Sequence, residues 1–256
     1  MFERARARIA GAYALHVYLP ASAAARALRT QLRRWRGKSG AQPMRLPQAP
    51  WPHVLARHPI RLAETAKSDG NVRLSELALL ALAAAAAPAG SEIVEIGTFD
   101  GRTALNLAIN AQSGVSIATL DLPADQPSAL AIEASERRYV DKPAPGARLR
   151  ACGEPWRHYA ARVAQMYGDS ATFDWSPHIK RAALVFIDGS HAYDYARKDS
   201  ETALRLVRPG GVVLWHDYGV WSGVTQALEE LDAVRGLGLV NIAGTSLVFW
   251  RAGQAR

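Results

Sequence analysis

Residues 91 to 256 predict an α/β protein: a doubly wound, mostly parallel sheet of seven strands with a C-terminal antiparallel hairpin, preceded by an N-terminal helical arm. Three observations carry this. Apolar runs are near-continuous rather than alternating, amphipathic stretches separate them, and acids or glycines stand where the runs stop. Strands that read as unbroken apolar runs are buried on both faces, which requires helices on both sides of a parallel sheet.

Strands are expected at 91–97 ("SEIVEIG"), 115–121, about 162–167, 182–188 and 211–217, with helices at about 101–111, 127–140, 192–207 and 222–234. The last two runs, "LVNIAG" and "TSLVFWRA", stand too close for a crossover helix, so they should form a hairpin at the sheet edge. This is a Rossmann-like arrangement, in which ligands bind at the carboxyl ends of the strands, where the strand order reverses. Upstream, "LSELALLALAAAAA" (74–87) is strongly helix-forming and is stopped by Pro88 and Gly90. "GKSGAQPMRLPQAPWP" (37–52) has the proline and glycine content of a linker. The expected organisation is an arm and linker at 1–50, a helical cap at 51–90 and the main domain at 91–256. Within the cap, "WPHVLARHPI" (51–60) is a candidate lid over the cleft.

The chain has 256 residues, 49% hydrophobic and 21% charged, enough for one large core with an appendage. A single cysteine, Cys152, excludes an internal disulfide framework and a zinc site built on several thiolates. A reducing, cytoplasmic setting is the expectation. The formal charge of +8 is unevenly spread: residues 1–45 hold ten Lys or Arg against Glu3 alone. The other 211 residues carry 21 basic and 22 acidic side chains, without the interleaved basic and aromatic stripe of a nucleic-acid surface. No nucleic-acid partner is expected.

The arm, "MFERARARIAGAYALHVYLPASAAARALRTQLRRWRGKSG", has three readings. Arginines before an apolar run and "ASAAA" imitate an export signal, although His16, Tyr13 and Tyr18 interrupt the run. The second is a basic helix packed on the domain or solvated. The third is a helix making peripheral contact with an anionic membrane, where each basic residue contributes about 1 kcal/mol. No run elsewhere approaches the roughly 20 apolar residues of a membrane span.

The first strand-to-helix turn, "IVEIGTFDGRTAL" (93–105), carries the chemistry. Its glycines, Gly97 and Gly101, fit neither the G-x-G-x-x-G of dinucleotide sites nor the G-x-x-x-x-G-K of P-loops. Phe99 would crowd a pyrophosphate, and Asp100 beside the helix N-terminus would repel one. Instead, Glu95, Gly97 and Gly101 form E-x-G-x-x-x-G, which resembles the first motif of class I S-adenosylmethionine-dependent methyltransferases. An acid at the strand end and bare backbone suit a cation-bearing amino-acid tail. Asp121 lies 20 residues after Gly101, the offset at which an acid holds ribose hydroxyls; the alternative is a cap for the next helix. In "YGDSATF", Asp169 and Ser170 stand where that family contacts adenine; a turn cap is the alternative.

The block "ALVFIDGSHAYDYARKDSETALRLVRPGGVVLWHDY" (183–218) is similar to bacterial small-molecule O-methyltransferases, including sugar and cell-envelope tailoring enzymes, and the likeness runs from about 90 to 252. The resemblance implies S-adenosylmethionine as cofactor, held by Glu95, Gly97, Thr98, Phe99, Gly101, Asp121, Asp169 and Ser170. It implies a small hydroxylated acceptor, a saccharide or cell-envelope precursor; a homo-oligomer is expected as well. Asp188 and Asp217, closing neighbouring strands, are the implied ligands of Mg²⁺, which would lower the pKa of an acceptor hydroxyl. His191 is the candidate general base of a metal-free version, so the catalytic set is Asp188, His191 and Asp217. His216 is read as pointing away from Asp217, since neighbours in a strand face opposite ways. Tyr218 departs from the further acid or amide usual beside such a metal site. Trp156, Arg157, His158, Tyr159 and Trp221 are candidate acceptor contacts. Two other classes stay open: an NAD-dependent oxidoreductase, and a non-catalytic scaffold docked to a membrane.

Overall fold

The computed structural model describes residues 2–25, 28, 44–141 and 145–253. Residues 37–43 of the expected linker therefore lie outside the described residues. Among the described residues eight strands form one sheet: β1 (Gln48–Ala49), β2 (Glu92–Ile96), β3 (Ser116–Asp121), β4 (Val163–Tyr167), β5 (Ala182–Ile187), β6 (Val207–Trp215), β7 (Val240–Ile242) and β8 (Val248–Arg251). Their order is β1-β7-β8-β6-β5-β2-β3-β4. Every pairing is parallel except those of β8, which runs antiparallel to both β6 and β7.

The sheet thus has eight strands rather than seven. The added strand is β1, two residues pairing in parallel with β7, too short to leave a pattern in sequence. The expected antiparallel hairpin is present as β7 and β8, with β8 between β6 and β7 and β1 covering the outer edge. The strand order reverses between β2 and β5, and their carboxyl ends open the crevice where a ligand should sit.

The helices are α1 (Phe2–Tyr13), α2 (Leu74–Ala85), α3 (Arg102–Asn110), α4 (Arg137–Val140), α5 (Ala147–Ala151), α6 (Arg157–Ala160), α7 (Tyr193–Leu206) and α8 (Ser222–Arg235). The helix expected at 127–140 shrinks to a 3₁₀ turn at Ala134–Glu136 followed by α4. Tertiary acceptors outcompete it: the Ala129 amide donates to the Asp169 carboxylate at 2.7 Å and the Leu130 amide to the Tyr195 hydroxyl at 3.2 Å.

α2 is buried from Ser75 to Ala84. Its leucines join the main core with Ile93, Leu184, Phe186 and Leu214 of the sheet, and its alanines let neighbouring backbones approach closely. α1 continues through a π turn at Ala14–Tyr18 and further helical residues to 25. It packs on the domain through Ala7, Gly11, Ala14, Leu15 and Leu19, and the Leu62 amide donates to the Ala7 carbonyl at 2.9 Å. The apolar part of the arm is therefore packed helix on one side. Among the described residues no helix is long and apolar enough to cross a membrane.

One buried cation holds the fold in a way the sequence did not announce. Arg102, the first residue of α3, is fully buried. Its guanidinium donates to the carbonyls of Glu64 at 2.7 Å, Val72 at 2.9 Å and Thr65 at 3.2 Å. Segment 64–72 is thereby pinned to the helix beside the crevice. Burial lowers the pKa of Arg102 to about 10, so it stays charged near neutrality. Arg102→Met should lower the unfolding free energy by about 3 kcal/mol, because buried carbonyls lose charged donors. A drop in the urea midpoint at unchanged slope would register this.

Candidate active site

A cavity of about 300 Å³ lies at the carboxyl ends of β2 to β6. Its wall starts at Gly97, directly after β2. Gly97 has φ +99°, and a Cβ there would fall against the Asp188 carbonyl, 2.5 Å from its carbon. Only glycine lets the ends of β2 and β5 run this close, with the Asp188 amide donating to Ile96 O at 2.8 Å. The turn then takes Phe99 into the left-handed region and delivers its amide to Asp121 Oδ2 at 2.5 Å.

Asp100 stands just before the next helix, whose N-cap is Gly101: its Oδ1 accepts the Arg102 amide at 2.9 Å, and its Oδ2 pairs with Arg148 at 2.9 Å. The helix N-terminus that a pyrophosphate would need thus already holds an acid.

Of the residues assigned to the cofactor, Gly97, Phe99, Asp121, Asp169 and Ser170 line the cavity. Glu95, Thr98 and Gly101 do not; they brace the turn from behind. Glu95 is fully buried, 2.5 Å from the Thr119 hydroxyl, which lies 2.7 Å from that of Thr98. Burial, reinforced by Asp188, Asp121 and Asp100, pushes the Glu95 carboxyl well above its ordinary range, which suits a neutral link in that chain. Gly101 leaves room for Leu149 of α5. Asp169 is on the wall, but its carboxylate already accepts the amides of Ala129 and Ala171 and the Tyr195 hydroxyl.

The other half of the cavity is a chain of acids and imidazoles. Asp188 follows β5, and Asp217 lies two residues past β6. His191 places Nε2 2.7 Å from Asp217 Oδ2 and Nδ1 2.6 Å from Glu136 Oε1. Its backbone amide also donates to Glu136, as does the Ser190 hydroxyl at 3.0 Å. The His191 ring stacks on Trp221 with centroids 4.4 Å apart and planes within 10°.

His216 does not point away from Asp217. Its Nδ1 lies 2.8 Å from Asp188 Oδ1 and 3.3 Å from Asp217 Oδ1, and its Nε2 lies 3.2 Å from Glu76 Oε2. The alternation argument fails because β6 ends at Trp215 and Asp217 has φ +65°. Glu76 is itself fully buried and accepts the Ser246 amide at 2.9 Å and hydroxyl at 2.8 Å.

Electrostatics follows from this geometry. Burial opposes charge on His191, yet its hydrogen bonds to Asp217 and Glu136 outweigh burial and raise its pKa to about 9. Burial likewise opposes charge on His216, but Asp188, Asp217 and Glu76 push its pKa well up. Burial would raise the carboxyls of Glu76 and Asp217; facing imidazoles hold both well below their ordinary values.

Glu76 and Glu136 escaped the sequence reading. Glu76 had a signal, as the lone charge within the apolar run of 74–87. Glu136 had none, because a carboxylate in an expected amphipathic helix reads as solvated. Tyr218 is buried, its hydroxyl donating to Glu229 at 2.9 Å and accepting the Leu46 amide at 3.0 Å. Of the acceptor candidates only Trp221 reaches the cavity; Arg157, His158 and Tyr159 do not line it, and Trp156 packs in a core cluster with Leu105 and Leu149. The N-terminal contribution to the wall comes from Lys67 to Arg73, not from 51–60.

A family model described as a methyltransferase domain matches residues 94–218. No curated protein matches the chain at a significant level. Among solved structures, cofactor-bound Rv0187 from MTB is similar with TM-score 0.50 at 19% identity, over 76% of this chain and 84% of that one. The O-methyltransferase NovP is similar with TM-score 0.52 at 16% identity, over 71% of this chain and 81% of that one. At these identities the structures attest a shared fold. Residues 94–218 thus match a methyltransferase domain, set in a fold shared with these structures and opening its crevice at the switch point of the sheet.

Proposed function

We propose that the chain methylates a hydroxyl of a small polyhydroxylated acceptor, of the saccharide or cell-envelope-precursor kind. The observation that carries this reading is the His191–Asp217 contact of 2.7 Å, in the same cavity as the Asp121 carboxylate.

The residues present suit the cofactor. Carboxylates on the wall and an acid holding the first amide of the helix favour a positively charged ligand with a ribose over one with a pyrophosphate. Gly97, Phe99, Asp121, Asp169 and Ser170 would hold it. When bound, S-adenosylmethionine supplies a methyl group activated on a sulfonium, whose sulfur keeps the bonding pair as the methyl carbon moves to oxygen. The chain's task is the acceptor proton. A hydroxyl entering between His191 Nε2 and Asp217 Oδ2 would replace their direct contact and give its proton to Nε2, with Asp217 alongside to stabilise the imidazolium and Glu136 fixing the proton on Nδ1.

A second reading is favoured by one observation: Asp188, His191 and Asp217 each offer a ligand atom within 4.8 Å of the others. A divalent cation held there would lower the pKa of a bound hydroxyl, with Glu136 fixing the His191 tautomer from outside. Because one donor is a nitrogen, this set suits Mn²⁺ at least as well as Mg²⁺.

Calorimetric titration with S-adenosylmethionine, with NAD in parallel, tests the cofactor. Binding of the first alone is expected, and Asp121→Ala should weaken it about tenfold or more. Silence from S-adenosylmethionine, with or without divalent metal, would sink the proposal, and NAD binding would restore the oxidoreductase reading. Once an acceptor is turned over, activity that survives chelation assigns the proton to His191 alone, whereas loss restored by Mn²⁺ or Mg²⁺ assigns it to the cation site.

A further inference from the structure

α1 is apolar on two opposite sides. Ala7, Gly11, Ala14 and Leu15 face the domain, and a Cβ on Gly11 would stand 2.7 Å from the Ile60 carbonyl oxygen, so the contact is backbone-close. Phe2, Ile9, Tyr13 and Val17 are 73%, 69%, 49% and 54% exposed. Their spacings of seven, four and four keep them on one face of the helix, turned from the domain. A helix already seated on its own core gains nothing from a second apolar stripe exposed to water.

The charge around that stripe points to its occupant. Arg4, Arg6 and Arg8 are all exposed, and Arg6 lies over the Phe2 ring at 5.7 Å while also pairing with Glu3. In sequence seven further basic residues follow between Arg26 and Arg45, with no acid among them. An apolar ridge with a large phenylalanine, an aliphatic pair and an amphipathic tyrosine, set among arginines, matches the interface of a bilayer with negative headgroups. We infer that this face of α1 docks the chain on an anionic phospholipid surface. The inference is independent of the methyl-transfer reading, since none of these residues lines the cavity. α1 is nevertheless joined to segment 60–72, which continues into the cavity wall, through the Leu62-to-Ala7 hydrogen bond.

Co-sedimentation of the full chain with vesicles tests this. Vesicles of phosphatidylcholine with about one third phosphatidylglycerol should retain the protein at least tenfold better than phosphatidylcholine alone, and raised salt should weaken retention by screening. The double variant Ile9→Asp, Val17→Asp should lose retention about tenfold while keeping its far-UV dichroism and S-adenosylmethionine affinity. Failure to bind anionic vesicles, or equal binding by the variant, would overturn the inference. So would light scattering that shows a lipid-independent dimer abolished by the same variant, for then a second copy of the chain covers the stripe.

Discussion

Asp217→Asn is expected to lower kcat by about 10²- to 10⁴-fold, the usual worth of a positioned acid or base, while S-adenosylmethionine affinity changes little. The amide keeps the shape of the side chain but withdraws the charge that stabilises the imidazolium 2.7 Å away. The pH profile distinguishes this from simple misfolding. His191 accepts a proton only when neutral, and its pKa of about 9 leaves a small neutral fraction at pH 7. In the native protein kcat/KM should therefore climb with pH and level off near 9. Removing Asp217 takes away a principal cause of the raised pKa, so the plateau should begin nearer neutrality in the variant, at a much lower height. An unchanged profile with unchanged kcat would remove His191–Asp217 from the mechanism. If Asp121→Ala and Asp217→Asn behaved alike in binding and turnover, the division between cofactor half and acceptor half would be wrong.

Gly97→Ala should be the most damaging added methyl group among the described glycines. The new Cβ collides with backbone of Asp188, which cannot swing away like a flexible side chain, and φ +99° is itself strained for alanine. A loss of about 3 kcal/mol or more is expected, or roughly 6–12 °C in Tm for a protein of this size. Cofactor affinity should fall with it, because the ends of β2 and β5 are part of the cavity wall. Gly90→Ala is the control: it too is left-handed, at φ +78°, but nothing lies within 4 Å of its Cβ. It should cost only about 1 kcal/mol. Equal effects at the two positions would mean that backbone conformation, not the approach of the strands, dominates at Gly97.

The parts of the fold that were legible are those written in local pattern. Apolar runs gave the five central parallel strands to within a few residues, and strand ends delivered Asp121, Asp188, His191 and Asp217 to one cavity. What could not be read depends on partners distant in sequence. The helix at 127–140 had adequate propensity, but Asp169 and Tyr195 take the amides that would have started it. β1 is too short to show a period, and it exists because the β7 edge offers it hydrogen bonds. His216 was misdirected because alternation was extended past the last paired residue of β6. The chain closing the site at both ends, Glu76 to His216 and Glu136 to His191, joins residues 140 and 55 positions apart. No spacing rule reaches that far.

The Glu76–His216 contact also limits how this protein can be divided. The methyltransferase match begins at residue 94, yet the carboxylate facing His216 comes from α2, eighteen residues upstream of it. Exchanging the N-terminal third between relatives would be an edit to the cavity as well as to the periphery: a chimera with an apolar residue at 76 would leave His216 facing two aspartates with nothing on its other ring nitrogen. Recombination that preserves this contact should place its crossover ahead of residue 74 rather than at the domain boundary.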